Sequence, residues 1–393
     1  MKGAGRRVAI TGYGVVAPCG LGKKAFWEGL NGPGITDRKS IEIADWDPTP
    51  YFDNPKEARR ADRVEQFAVA AAAEAFEHAG HPTVDSARFG TIFATGVGGL
   101  RSTQDQIEVL LTKGERRVSP FLVPMMMPNA PGAAISMRYG LRGPNETICT
   151  ACAASTHAIG YAARLIAWGM CDAAVTGGAE SAGCAIGVAS FGNMTALSTS
   201  GASRPFDVDR DGFVLGEGAG VLILEEWSVA EARGATIHGE VLGAASNADA
   251  HHITAPAPGG VGAIECMRLA LADAGLQPSD IGHVNAHGTS TPLNDAAEAA
   301  AVTEVFGPRG VAVSSTKGVT GHALGAAGAL EAIAMLLAIE QRSIPPTAGT
   351  TTVDPEFTID LVVGSSRPWT PAPSISNSLG FGGHNGSIII GPA

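Results

Sequence analysis

Apolar positions fall into two recurring kinds of run. Short runs rich in β-branched residues, at 6–16 (RRVAITGYGVV), 89–97 (FGTIFATGV), 172–180 (DAAVTGGAE) and 220–226 (GVLILEE), predict strands. Longer Ala-rich runs at 67–80 (FAVAAAAEAFEHAG) and 157–169 (HAIGYAARLIAWG) predict helices, each closing near a glycine. The theme then repeats. Residues 238–246, 281–288, 311–317 and 374–390 read as strands, and 262–275 and 328–341 as helices. The alternation predicts an α/β chain with mixed or parallel sheets. The shared element order points to a duplication, with one half over residues 1–243 and the other over 244–393. No low-complexity linker separates them, so they are expected to form one body. Two Pro- and Gly-rich segments, 119–132 and 247–260, interrupt the pattern and read as irregular, functional loops. The first holds Met125-Met126-Met127, flexible apolar surface suited to core filling or to a pocket wall.

Composition refines this picture. Apolar residues make up 45% of the 393 and charged residues 17%, enough for a large core. A net charge of −11 argues against a nucleic-acid partner, although a local basic patch can still meet an acidic protein. Six cysteines spread over this length are not a disulfide framework. The opening MKGAGRRVAITGYGVVAPCG looks superficially like a signal peptide, but Gly12, Gly14 and Pro18 break its apolar run. With no run expected to span a membrane, the reading is a soluble, cytoplasmic protein.

Candidate chemistry centres on ETICTACAASTHAIGYAARL, residues 146–165. Cys149-Thr-Ala-Cys152 could be a redox pair or half a zinc site, but no second C-x-x-C exists to complete the latter. Alternatively, Cys152 at a helix N-terminus would have its thiolate stabilised by free N–H groups, which could also hold an oxyanion. A buried structural thiol is the fourth reading. Gly12-x-Gly14-x-x-Ala17 fits a loose dinucleotide pattern, weakened by Pro18 where a helix should run. His251-His252 reads as a loop pair rather than a metal site. Three further segments bear on the choice: NAHGTSTPLNDAAE with His287, Thr289, Thr291, Asp295 and Glu298; SSTKGVTGHALGAAG with Lys317 and His322; and SNSLGFGGHNG with Phe381. A Cys, two His, a Lys and a Glu in strand-end loops suit acyl transfer and proton management.

Together these stretches, with TGYGVVAPCG, DAAVTGGAES and ALSTSGASRPFDVDRDGFVLGEGAG, resemble the elongating β-ketoacyl-(acyl carrier protein) synthases of the thiolase superfamily over nearly the whole chain. The resemblance implies a thiolase-like, duplicated αβαβα layered fold with two pseudo-symmetric halves. It implies an acyltransferase that performs a decarboxylative Claisen condensation in fatty-acid biosynthesis. Malonyl-acyl carrier protein would meet an acyl group held on Cys152, giving a 3-oxoacyl chain two carbons longer. The alternative is a ketosynthase of a type II (dissociated) polyketide system. A degradative thiolase would carry a second catalytic cysteine near the C-terminus, an initiating synthase an Asn in place of His322, and a chain-length factor no Cys152.

By the same resemblance, His287 and His322 would donate hydrogen bonds during decarboxylation, and Lys317 and Glu298 would form a buried ion pair. The N–H groups of Cys152 and Phe381 would make the oxyanion hole. The Phe381 ring would act as a gate hinged on glycines such as Gly382. Thr289 and Thr291 would bind the pantetheine arm, while Val97, Phe191 and Leu379 would shape the acyl pocket. His157 reads as structural. Lys56, Arg59, Arg60, Arg116, Arg117 and Arg204 would dock the acyl carrier protein, the first three on one helix face. No metal and no resident cofactor are expected, because phosphopantetheine arrives on the carrier. The assembly would be a homodimer, or a heterodimer with a chain-length factor. Cys149, Val97, Leu379 and His384 depart from common family residues and bear on chain-length preference.

Overall fold

Ten strands carry the fold in a computed structural model that describes residues 5–393. The N-terminal half supplies β1 (Val8–Ala17), β2 (Phe89–Ala94), β3 (Asn145–Ile148), β4 (Ala173–Glu180) and β5 (Gly218–Glu226). The C-terminal half supplies β6 (Gly239–Ala248), β7 (His283–Asn285), β8 (Ala312–Ser314), β9 (Ser374–Gly380) and β10 (His384–Gly391). They run in the order β3-β2-β4-β5-β1-β6-β10-β9-β7-β8, with two-residue strands at Gly20–Leu21 and Asp360–Leu361 added. Outward from the β1–β6 seam, each half presents its first, fifth, fourth, second and third strand. The directions repeat as well. The first two pairings in each half are antiparallel and the last two parallel. The duplication is thus written in the topology. The repeat begins at Gly239, so the expected cut at 243/244 falls inside β6. The break lies instead after the short helix Trp227–Ala232, at Gly234 with φ 71°.

Five helices build the layers: α1 (Arg63–His78), α2 (Ala154–Ala167), α3 (Val261–Ala274), α4 (Pro292–Phe306) and α5 (Ala327–Gln341). One apolar cluster joins α2 and α5 to Ile92, Leu222 and Leu224 of the N-terminal sheet and to Val241, Ile388 and Ile390 of the C-terminal sheet. The two half-sheets therefore sandwich a central pair of helices. A second cluster packs α1 against the outer face of the N-terminal half, and a third packs α3 and α4 against the other. The result is the αβαβα arrangement. α5 is buried on all sides, which explains its continuous apolar run. Each of its large side chains contributes on the order of 1.5–3 kcal/mol by burial. The stretch 324–341 is long and apolar enough for a membrane span, contrary to the expectation of no such run, but 89% of that window is inside the protein.

The pattern located four of the five layer helices, α1, α2, α3 and α5, to within a few residues. α1 starts earlier than expected because the Asp62 carboxylate caps it, accepting from the Val64 N–H at 2.9 Å. Gly12 and Gly14 serve close packing rather than phosphate binding. A Cβ on Gly14 would lie 2.1 Å from the Ala71 carbonyl, so α1 lies flush on β1. Unforeseen were α4 and the helices Lys23–Leu30, Leu100–Lys113, Ala130–Tyr139 and Ala185–Asn193, and Leu122–Met126 inside the segment read as irregular. Leu100–Lys113 and Leu122–Met126 bury no residue at all, so neither shows the core-facing stripe that pattern reading relies on.

Candidate active site

The nucleophile candidate stands at a sharp corner. β3 ends at Ile148, Ala151 adopts φ 51°, and the single turn Ala151–Ala153 runs straight into α2. A left-handed φ at a residue with a side chain is strained, and the surrounding packing holds it. The turn aims Cys152 into the body, where it is buried. Its Sγ lies 3.0 Å from His322 Nε2. Burial pushes the thiol up to about 12, against the pull of Lys317 and of the Phe381 and Cys152 N–H groups. Burial also holds His287 and His322 well below the usual histidine range, with Lys317 adding to the effect. Both directions favour a resting pair of neutral thiol and neutral imidazole.

The C-terminal half supplies the remaining groups from matching strand ends. His287 follows β7, and Lys317 and His322 follow β8. The reactive atoms of Cys152, His287 and His322 lie within 4.8 Å of one another, the metal-ligating spacing found among the described residues. The two imidazoles stand edge to face, with centroids 5.2 Å apart. Lys317 Nζ is 3.4 Å from His287 Nδ1. Its ion-pair partner is Glu331 of α5, not Glu298 as expected. The Glu298 carboxylate accepts instead from the backbone N–H groups of His287 and Gly288, at 2.8 Å each. Glu298 fixes the loop that carries His287; Glu331 fixes the lysine.

An aromatic file leads inward. The Phe381 ring is 6.4 Å from Phe191, Phe191 is 5.6 Å from Phe213, and Phe213 is 5.1 Å from His322. Phe191, Val188, Leu100 and Leu324 pack around Cys152 in one apolar cluster. Phe381 begins the turn between β9 and β10. A Cβ on the preceding Gly380 would stand 3.2 Å from the Cys152 nitrogen, so the turn presses on the nucleophile corner. Gly382, with φ 81°, donates its N–H to the Ile253 carbonyl at 2.7 Å, and Asp249 N–H donates to the Gly383 carbonyl at 2.9 Å. The 247–260 segment therefore holds the aromatic turn through two backbone bonds.

Other expected site residues separate. Thr289 and Thr291 hydroxyls meet at 3.0 Å, and the Arg204 N–H donates to the neighbouring Ser290 hydroxyl at 3.0 Å. The Leu379 side chain packs with the outer C-terminal core, while its backbone bonds the His287 ring. Val97 is exposed beside Gly98 rather than in the cluster. Lys56, Arg59 and Arg60 do not share a long helix face, because the helix there is only Pro55–Ala58. Arg60 stacks over Phe121, four residues beyond the Arg116–Arg117 turn, at 4.4 Å. All five are exposed, and none forms an ion pair among the described residues. His157 bonds on both sides, to the Thr150 hydroxyl at 2.8 Å and the Asn385 carbonyl at 3.0 Å, tying the nucleophile corner to β10. The Cys149 thiol donates to the Gly96 carbonyl at 3.1 Å and forms no disulfide with Cys152. His252 Nδ1 accepts from the Thr254 and Ala255 N–H groups, closing its own loop.

Sequence reading missed Glu180. It is fully buried at the end of β4, and its carboxylate accepts from the N–H groups of Gly96 (2.7 Å) and Gly325 (3.1 Å) and from the Thr95 hydroxyl (3.3 Å). Burial pushes it up to about 7. An acid inside GGAE, closing an otherwise apolar strand, was the available signal.

Two family models cover most of the chain: beta-ketoacyl synthase, N-terminal domain, over residues 32–230, and beta-ketoacyl synthase, C-terminal domain, over residues 238–351. A 3-oxoacyl-[acyl-carrier-protein] synthase 2 of Synechocystis sp. is 44% identical over 407 residues, covering 98% of each chain. Among solved structures, the ishigamide ketosynthase/chain length factor superposes with a TM-score of 0.92 at 34% identity, covering 99% of both chains. A type II PKS ketosynthase in complex with its acyl-carrier protein gives 0.91 at 30%, covering 99% of this chain and all of the other.

Proposed function

Because this chain belongs to the β-ketoacyl synthase family, we propose how its buried groups divide one condensation among them. The enzyme is a β-ketoacyl-acyl carrier protein synthase of fatty-acid synthesis, an acyltransferase in its first half-reaction and a carbon–carbon bond-forming catalyst in its second. Cys152 attacks the acyl thioester. The oxyanion forms against the N–H groups of Cys152 and Phe381, and the carrier thiol leaves with the proton from Sγ. Malonyl-carrier then enters and loses CO2. The electrons of the broken bond move onto the thioester oxygen, where His287 and His322 donate hydrogen bonds. The resulting carbanion attacks the acyl carbonyl, and Cys152 is released to take up a proton. Neutral imidazoles suit this role because they donate without carrying charge into a buried site. The observation that carries the reading is the convergence of Cys152 Sγ with the two imidazoles. We read the trio as nucleophile and donors rather than metal ligands, because Lys317 already places a cation beside His287. The pantetheine arm comes with the carrier, so the reaction uses no resident cofactor.

The half-reactions separate the roles. His287→Ala and His322→Ala should each slow malonyl decarboxylation about 100- to 1,000-fold, the usual cost of one lost oxyanion donor. Cys152 acylation, followed by intact-protein mass spectrometry, should fall far less. Equal losses in both steps would remove the imidazoles from the enolate.

Carrier docking falls to the exposed cations. Lys56, Arg59, Arg60, Arg116 and Arg117 are exposed and without an ion pair among the described residues, with Arg60 over Phe121 near the Arg116–Arg117 turn, and the half-buried Arg204 stands beside the threonines assigned to the pantetheine arm. Such cations steer an acidic partner despite a repulsive net charge. Arg59→Glu with Arg116→Glu should raise the KM for acyl-carrier protein about tenfold while turnover of a small acyl thioester holds. An equal effect on both substrates places docking elsewhere.

A second copy is the natural cover for the remaining apolar face. β3 is the sheet's outer edge in the N-terminal half, and the same half exposes Ile107, Leu110, Leu111, Val123, Met126 and Met137. We read this face as the homodimer contact of a cytoplasmic enzyme. Solved relatives described as a ketosynthase with its chain length factor support the alternative of a heterodimer.

A further inference from the structure

We propose that Glu180 and Cys149 are positioning residues that hold the backbone N–H and C=O of Gly96 and thereby set the acyl range of the Cys152 site. The inference rests on the condensing reaction above and concerns how the acyl group is accommodated. The Gly96 N–H donates to the Glu180 carboxylate at 2.7 Å, and the Gly96 carbonyl accepts from the Cys149 thiol at 3.1 Å. One residue is held at both of its backbone polar groups, in two consecutive peptides, by two side chains that no step of the chemistry uses.

The same Glu180 oxygen reaches across to the other half. It accepts from Gly325 N–H at 3.1 Å, three residues beyond His322 and next to Leu324. Leu324 lies in the apolar cluster around Cys152, and its φ is 43°, so this turn is held rather than relaxed. The space is built for the carboxylate. A Cβ on Gly96 would stand 2.7 Å from Glu180 Oε2, and one on Gly325 would stand 3.0 Å from it. A Cβ on Gly325 would also meet the Gly96 nitrogen at 2.1 Å, so the two loops touch through their glycines. The clasp therefore couples the loop carrying Val97, in the N-terminal half, to the turn carrying His322 and Leu324, in the C-terminal half. Loosening it should enlarge and blur the chamber beside Cys152 and let His322 drift from the 3.0 Å contact with sulfur.

Glu180→Gln keeps volume but replaces the charged carboxylate by a neutral amide, whose single oxygen must take both N–H groups while its NH2 falls toward the Thr95 hydroxyl, so the clasp loses its charge-assisted bonds. Acylation of Cys152 by carrier-bound acyl chains from four to sixteen carbons should fall about 10- to 100-fold, most for the longest chains, a misplacement penalty that grows with what must be packed. Cys149→Ala should flatten the chain-length profile, and Cys149→Ser, which restores a donor to the Gly96 carbonyl, should recover it. The proposal is overturned by a Glu180→Gln enzyme with the wild-type profile, or by a uniform loss at all lengths with a lowered Tm. If Glu180→Gln does not fold, the cysteine pair decides: unchanged profiles in both Cys149 variants overturn the grip. Cys152→Ala run on the same carriers keeps the two ideas apart. A persistent acyl adduct in that variant defeats the condensing assignment, whereas loss of the adduct with unmoved clasp profiles defeats only the clasp.

Discussion

Cys152→Ala is expected to abolish the acyl-enzyme and to lower condensation by on the order of 10,000-fold or more, the scale seen when a covalent nucleophile is removed. Fold stability should change by only about 1 kcal/mol, since the substitution removes one sulfur and one weak hydrogen bond. The effect should be large because nothing nearby can replace the thiol. Cys149 is the nearest cysteine in sequence, but its thiol is committed to the Gly96 carbonyl, and burial raises its pKa. Intact-protein mass spectrometry after mixing with acyl-carrier protein reads the adduct directly. An adduct forming at the wild-type rate would transfer the role to another residue. The same variant should retain malonyl decarboxylation in part, because His287 and His322 are untouched.

Much of this arrangement was legible from sequence, for physical reasons that also mark where legibility ends. α1, α2, α3 and α5 carry dense apolar runs closed by glycine or by a short polar break. Strand ends followed by Gly-rich loops marked where Cys152, His287, His322 and Phe381 would gather, because α/β folds expose ligand sites there. What failed was the choice among acids. Glu298 and Glu331 both sit in Ala-rich helices, and α5 is buried all round, so no periodic stripe shows which way Glu331 faces. The family resemblance points to Glu298 as the lysine's partner, and Glu298 does serve the His287 loop, through the backbone rather than through Lys317. Leu379 was misplaced by a related error. Residues alternate across a strand, and β9 turns that side chain toward α3 while its neighbours end at the nucleophile corner. The helix Leu100–Lys113 was invisible because it buries no residue fully, and Ile107, Leu110 and Leu111 stand exposed, so no core-facing stripe marks it.

Exchanging the lysine's partner changes which acid matters most. Glu331→Gln should destabilise the enzyme by about 3–5 kcal/mol, because it leaves Lys317 buried with no opposing charge. Glu298→Gln should cost less, about 1–3 kcal/mol, because the amide oxygen still accepts from one of the two N–H groups. Activity should follow a different order. With Glu331 neutralised, Lys317 loses its anchor beside His287, so decarboxylation should fall along with stability. A double variant, Lys317→Met with Glu331→Met, separates the two effects. Replacing a buried pair by apolar residues of similar volume is often neutral or stabilising, so the denaturation midpoint should recover toward that of the parent enzyme. Decarboxylation should not recover, because the cation beside His287 Nδ1 is gone. Urea unfolding and CO2 release measured on the same four proteins decide the matter. If Glu298→Gln proves more destabilising than Glu331→Gln, or if the double variant regains both stability and decarboxylation, the Lys317–Glu331 pair is a packing feature and not part of the catalytic charge arrangement.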